Sequence, residues 1–425
     1  MAEKTQLHST EEIQEKVVLV GIDLNNGNTD VDACLDELSR LIETAGAVEV
    51  GRLIQKRERV NPGLYLGTGK VEELKNAVNE LGATGVVCDD ELSPAQLKNL
   101  ESALNTKVMD RTMVILDIFA KRAISSEGKI QVELAQLKYR LSRLAGIGAS
   151  LSRLGGGIGT RGPGEKKLET DRRYIKERIG ELKESLEEIR THRELLRTQR
   201  KKKGSVVVSL VGYTNAGKST ILNAITNAGV LEEDKLFATL DTTTRLAQLP
   251  GGINIMLTDT VGFIQKLSHH LIEAFKATLE ELQYADILLH VVDASDPSVD
   301  EHMKVVYDTL KDLGCEGKPV ITVFNKMDLA GNIHVPEDKK SLSQITISAK
   351  NSEDLDKILA ETERVLKTFR KCTKVLIPYS EGVFLNNIYG KCEIISEEHT
   401  FEGTLIEAYM DDETASRLKD YIVTD

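Results

Sequence analysis

Residues 212–219 read Gly-Tyr-Thr-Asn-Ala-Gly-Lys-Ser, set between the apolar run Val206–Val211 and a helix-like stretch, Thr220–Asn227. A strand, a glycine-rich turn and a helix start, in that order, make a phosphate cradle. Backbone N–H groups along Gly212, Tyr213, Thr214, Asn215, Ala216 and Gly217 can face an anion, and the helix N-terminus at Thr220 adds about half a positive charge. Lys218 can reach the β- and γ-phosphates, and the Ser219 hydroxyl is placed for Mg²⁺. The stretch predicts an α/β P-loop domain with a parallel sheet that holds a nucleoside triphosphate.

Downstream, further elements follow in a telling order. Asp259-Thr260-Val261-Gly262 closes a predicted strand, Asn254–Thr258. Its carboxylate can hold Mg²⁺ through water, and the Gly262 N–H can bond a γ-phosphate. Asn325-Lys326-Met327-Asp328 closes another strand, Val320–Phe324. Asp328 can accept from guanine N1–H and the exocyclic amine, two donors adenine does not offer in that geometry; a carboxylate left unpaired costs about 1–3 kcal/mol. Asn325 and the Lys326 stem are expected to hold the base plane. Ser348-Ala349-Lys350 can present an N–H to guanine O6. Each motif alone is weak, and their shared order at strand ends is what selects a guanine nucleotide.

The chain has 425 residues, net charge −12, five cysteines and no Trp. That length allows two to four domains. The scattered cysteines show no metal-ligand spacing, the first residues are polar, and no apolar run reaches 18, so a cytoplasmic protein without a membrane span, monomeric in solution, is expected. The acidic balance argues against diffuse nucleic-acid binding and leaves room for a local basic surface.

Four blocks are predicted. Residues 1–126 alternate strands (Val17–Ile22, Val48–Ile54, Gly85–Cys88, Lys107–Met109) with helices, which implies a parallel sheet. Ser93-Pro94-Ala95-Gln96 is a capping box. Leu66-Gly67-Thr68-Gly69-Lys70 looks like half a phosphate loop, but Leu64 stands where the first glycine belongs, so a turn before a helix is expected. Residues 127–203 change period: Ile130, Leu134, Leu137, Leu141 and Leu144, then Ile175, Ile179, Leu182, Leu186, Ile189 and Leu196, predict an antiparallel helical hairpin. Its linker, Gly146–Gly164, holds eight glycines, and Lys138–Arg173 carries nine Lys/Arg against three Asp/Glu. Either this is a solvated loop, or Arg153, Arg161, Lys166, Lys167, Arg172 and Arg173 contact RNA phosphates. Residues 204–370 hold the nucleotide motifs on a mostly parallel sheet. Residues 371–425 form a small α+β block, with strands near Val375–Pro378, Glu393–Ser396 and Leu405–Tyr409 and a helix over Glu413–Tyr421.

The third block resembles translation-factor-class G domains. With Phe237-Ala238-Thr239-Leu240-Asp241 as its switch element, it is most similar to HflX-type GTPases of the Obg–HflX group. Asn61–Lys70 and Ser152–Glu165 resemble that family as well. The resemblance implies that Thr239 binds Mg²⁺ and senses the γ-phosphate, with Thr243 as a rival. Lys218, Thr239 and Gly262 would then act in hydrolysis. Many small GTPases place a water-orienting Gln after DxxG; Phe263 stands there instead, so slow hydrolysis accelerated by a partner is expected. Asn215 resembles the loop Asn of potassium-stimulated GTPases, which leaves a bridging K⁺ and a plain loop brace both open. The family implies binding to the large ribosomal subunit and GTP-dependent separation of stalled or idle ribosomes under stress. Two alternatives stay open: an assembly or quality-control GTPase, and a GTP-gated binder of a protein partner. ATP use by the first block also stays open, although no complete phosphate loop occurs there.

Overall fold

Strand and helix alternate on either side of one long helical stretch, and the computed structural model builds an α/β molecule from that order. It describes residues 14–24, 30–151, 163–202, 206–226, 236–266, 271, 279–331, 335–369, 371–410 and 412–423. Packing divides the chain into two compact units. One comprises Met1–Lys121 with Val132–Gly180, the other Arg122–Gln131 with Glu181–Asp425.

In the first unit β1 (Lys16–Asp23), β2 (Val48–Lys56), β3 (Gly85–Cys88) and β4 (Lys107–Asp110) form an all-parallel sheet in the order β2-β1-β3-β4. Helices α1 (Val31–Ala45), α2 (Thr68–Leu81), α3 (Pro94–Leu104) and α4 (Arg111–Arg122) connect and follow the strands. Val17–Val20 is an unbroken apolar run buried along its length, the mark of a strand covered on both faces. The expected capping box starts α3: Ser93 Oγ accepts from the Gln96 N–H, and Gln96 Oε1 accepts from the Ser93 N–H. Arg111 is buried, yet its guanidinium lies 3.1 Å from Asp89, 2.7 Å from Glu37 and 3.2 Å from the Cys34 carbonyl. That complete pairing is what makes a buried charge tolerable.

Helices α5 (Ser126–Leu151) and α6 (Pro163–Lys202) form the hairpin. The sequence suggests a separate block, whereas packing divides both helices between the two units. Arg178 pairs with Glu133 at 2.8 Å, and Arg193 forms a close pair with Glu127, so the helices run antiparallel. Leu134, Ile175, Ile179 and Leu182 of the predicted seams are buried. Helix α5 buries a second stripe as well, Val132, Ala135 and Tyr139; the Tyr139 hydroxyl donates to Asp110 at 2.7 Å. A helix packed on two sides shows this wider face, which a single heptad reading undercounts.

In the second unit β5 (Val206–Gly212), β6 (Thr243–Gln248), β7 (Asn254–Asp259), β8 (Ile287–Asp293), β9 (Val320–Asn325) and β10 (Ser343–Thr346) form a sheet in the order β10-β9-β8-β5-β7-β6. Only β6 runs antiparallel to its neighbour. Helix α7 (Lys218–Thr226) packs Ile221 and Leu222 against Val208, Leu210 and Ile255. This core fixes the strand ends where the sequence motifs lie. At the C-terminus β11 (Lys371–Ile377), β12 (Glu393–His399) and β13 (Thr404–Met410) make an antiparallel sheet in the order β11-β13-β12. The helix expected over Glu413–Tyr421 is instead Asp412–Arg417 followed by a 3₁₀ turn, Lys419–Tyr421. A further helix, Gly382–Lys391, packs Ile388 into that sheet's core. Its sequence hides it, because Gly382 and Gly390 lower helix propensity and Val383 and Tyr389 leave apolar surface exposed. No helix among the described residues is long and apolar enough to cross a membrane.

Candidate functional site

A cleft of about 390 Å³ opens at the carboxyl ends of β5, β7 and β9. Ligand crevices form there in parallel sheets, because the strand-to-helix turns and helix N-termini converge on that edge. Of the predicted residues, Thr214, Asn215, Gly217, Lys218, Ser219 and Thr220 line it from the loop, and Phe237, Ala238 and Thr239 from the switch. Thr260 and Gly262 contribute from the segment after β7, Asn325 from the end of β9, Lys326 and Asp328 from just beyond it, and Ser348, Ala349 and Lys350 from beyond β10. Gly212, Tyr213, Ala216, Leu240, Asp241, Asp259, Val261 and Met327 do not line the cleft, and Leu329, which the motifs did not single out, does.

The phosphate end shows why its residue types are needed. Lys218 is buried, and its Nζ folds back to donate to the carbonyls of Gly212 at 3.1 Å and Tyr213 at 2.7 Å. Burial lowers its pKa to about 8, with Asp259 acting in the opposite sense. Gly217 takes φ +97°, and a Cβ there would lie 2.2 Å from Asn325 Nδ2, so only glycine lets the loop close on that amide. Asn325 braces the loops: it donates to the Ala216 carbonyl and accepts from the Ala349 N–H, each at 2.9 Å. One buried amide thereby ties the phosphate loop to the loop after β10.

Oxygen ligands converge beside it. Ser219 Oγ lies 2.8 Å from Thr239 Oγ1 and donates to Asp259 Oδ2 at 2.7 Å. Asp259 Oδ1 is buried without a hydrogen-bond partner, and burial pushes that carboxyl's pKa upward. An orphaned buried carboxylate oxygen next to two hydroxyls suits a hard divalent cation such as Mg²⁺. Of the two candidate switch threonines, Thr239 belongs to this cluster. Thr243 instead begins β6, paired with Asp259 across the sheet. Phe263 is buried, and its backbone is stitched to the phosphate loop, its N–H donating to Gly212 O at 3.1 Å and its carbonyl accepting from the Thr214 N–H at 2.8 Å.

At the other end Asp328 accepts from Ser348 Oγ at 2.8 Å and from Lys350 Nζ at 3.4 Å. The Ser348 hydroxyl, with Lys350, holds its carboxyl below the usual carboxylate range, so it stays an acceptor. Lys326 adopts φ +62° and pairs with Asp293 at 2.7 Å, which lays its stem along the cleft wall. Asp328 thus lines the same cleft as Lys218 and Ser219 as an ionised acceptor.

Three family models cover most of the chain: GTP-binding GTPase N-terminal over residues 32–120, GTP-binding GTPase Middle Region over 122–200, and 50S ribosome-binding GTPase over 207–326. The chain is 56% identical over 416 residues to the GTPase HflX of Lacrimispora saccharolytica, covering 98% of each. This chain is an HflX-family GTPase. The HflX of Caldanaerobacter subterraneus is 50% identical over 411 residues, covering 97% of this chain and 94% of the relative. A GTP-binding protein from Sulfolobus solfataricus in complex with GDP aligns with 84% of this chain and 99% of its own, at 23% identity and a TM-score of 0.42. As an HflX-family member the protein binds GTP and GDP and hydrolyses GTP.

The basic tract stands differently. Arg153 and Arg161 lie outside the described residues, and Lys166 and Lys167 fall on the first turns of α6. Arg172 and Arg173 lie on the same helix, Arg173 exposed and 3.8 Å from Glu177.

Proposed function

We propose that this GTPase binds the large ribosomal subunit through the basic, glycine-rich end of its helical hairpin and separates stalled or idle ribosomes in a GTP-dependent manner. The observation that supports this most is a local excess of six positive charges over Lys138–Arg173 in a chain of net charge −12, joined to a GTP switch. Glycines allow close backbone approach to RNA, and Arg supplies phosphate contacts. The 50S ribosome-binding GTPase match over residues 207–326 supports the same partner. Lys218, Thr239 and Gly262 are proposed to serve the γ-phosphate, with Mg²⁺ on Ser219 and Thr239 and, at Asn215, a K⁺. Bound Mg²⁺ would draw charge from the phosphate oxygens. Lys218 holds the β/γ end, the Gly262 N–H orients the γ-phosphate, and Asp328 fixes the base. The buried Phe263 ring cannot orient a water, so hydrolysis is slow until the ribosome supplies the missing group. The protein acts in the cytoplasm.

Replacing both Arg153 and Arg161 with Glu tests the reading. Co-sedimentation with large subunits should weaken at least tenfold, in order-of-magnitude terms, and flatten in its salt dependence, while GTP affinity holds. Unchanged co-sedimentation would remove the RNA contact from the proposal. Gradient profiles of mature ribosomes incubated with a slow-hydrolysing GTP analogue separate splitting from a role in assembly.

A further inference from the structure

Asp241, two residues beyond Thr239, turns away from the nucleotide cleft. Its Oδ2 accepts from the backbone N–H of Ile124 at 3.0 Å and of Ser125 at 2.9 Å, and its Oδ1 takes a close hydrogen bond from the Ser125 hydroxyl. Ser125 Oγ in turn accepts from the Gly128 N–H at 2.9 Å, which makes it the N-cap of α5. A carboxylate at a helix N-terminus meets the positive end of the helix and several N–H donors together. Gly128 carries a second, independent mark of the same contact: a Cβ there would lie 2.4 Å from Asp241 Oδ1 and 3.0 Å from Ser125 Oγ. A Cβ at this point of the helix would crowd both the Asp241 carboxylate and the Ser125 hydroxyl, so the anchor would have to shift. The residues from Arg122 to Gln131 belong to the same compact unit as the G domain, so the contact is internal to that unit.

We propose that Ser125 and Gly128 are positioning residues for GTP hydrolysis: through Asp241 they hold the switch segment so that Thr239 reaches the metal and the γ-phosphate. Two residues of chain span at most about 7 Å, so anchoring Asp241 confines Thr239 to the neighbourhood of Ser219 and Asp259. Thr239 Oγ1 sits 2.8 Å from Ser219 Oγ while this anchor is made. GDP has no γ-phosphate for the switch threonine to serve, so the anchor acts on turnover and not on diphosphate binding. The inference rests on Thr239 as the switch hydroxyl.

The test is steady-state GTP hydrolysis by the full chain with GDP affinity measured in parallel. Gly128→Ala should lower kcat about tenfold or more, the scale expected when a reacting geometry shifts by an ångström, with GDP affinity within twofold. In an Asp241→Ala background the same Gly128→Ala change should cost nothing further, because the carboxylate it collides with is gone. Ser125→Ala should lower kcat, and Ser125→Thr, which keeps the hydroxyl, should restore most of it. Equal losses of kcat and GDP affinity, additive single and double variants, or an unchanged kcat in Gly128→Ala would each overturn the proposal. Thr239→Ala is the control: if it leaves hydrolysis intact, the switch assignment fails, and if it abolishes hydrolysis while Gly128→Ala does not, only the anchor fails.

Discussion

Two glycine-lysine turns in this chain precede helices on parallel sheets, and only one forms a cradle. In the first unit the turn at Gly67–Lys70 is held by neighbouring side chains. The Gly67 N–H donates to Gln55 Oε1 at 2.8 Å, and Lys70 Nζ pairs with Glu73 at 2.8 Å. Asn61 Oδ1 takes the N–H groups of Gly63 and Leu64, and the Tyr65 hydroxyl donates to Asp90 at 2.7 Å. In the second unit the corresponding lysine is buried and reaches back over its own loop, while Thr214 Oγ1 and Asp259 Oδ1 are left without partners. A site for an anion or a cation needs polar atoms that the fold has not already satisfied. Sequence spacing separates the two turns by one missing glycine; the hydrogen bonds show what that absence means.

Lys218→Ala gives the largest expected effect. Losing one or two charge-assisted hydrogen bonds at about 1.5–3 kcal/mol each should weaken GTP binding by about a hundredfold or more in a fluorescent-nucleotide titration. Lys70→Ala, in the same titration, should stay within twofold. A comparable loss in both would erase the contrast between the turns.

Acid stability should separate the units next. His290, buried on β8 beside Asp338, is held neutral, with burial lowering its pKa to about 4. Its ordinary value is about 6.5, so between those values the unfolded chain binds the extra proton. Stability of the G domain therefore falls as pH drops from about 6.5 to 4, by roughly 3 kcal/mol in all. The described residues of the first unit include no histidine. Hydrogen exchange followed from pH 7 to 4.5 should show β8 and β9 losing protection before β1 and β3, and His290→Gln should remove much of that slope. Equal loss in both sheets would count against it.

A smaller effect tests the base end. Asp328→Asn exchanges an acceptor pair for a mixed group, so GTP should lose about 1–3 kcal/mol of binding while a xanthine nucleotide gains relative to it in competition. No change in base preference would remove Asp328 from the base contact.

Much of this molecule is written locally. Val206–Ser219 combines an apolar strand, a glycine turn and a lysine at fixed spacing, and the backbone geometry those residues impose suffices to form the cradle. The seams of α5 and α6 were legible for the same reason, since burial on one helix face leaves a period in the chain. The guanine motifs could be read because each sits at a strand end, where strand alternation predicts a turn. The helix Gly382–Lys391 was not legible, because its glycines and exposed apolar residues blur any period.

Contacts between distant segments leave no such trace. Asn325 is read from its motif as a residue near the base, yet the fold uses its amide to clamp Ala216 to Ala349, 109 residues from one and 24 from the other. Asp241 reads as part of the switch, and only packing shows it anchored to Ser125, 116 residues earlier. The sequence by itself determined the P-loop motif, the alternation of strands and helices around it and the hairpin, because local geometry and periodic burial are encoded residue by residue. The tertiary structure decided which polar atoms are satisfied and which remain open, because that depends on which surfaces meet, and surfaces that meet across a hundred residues share no period.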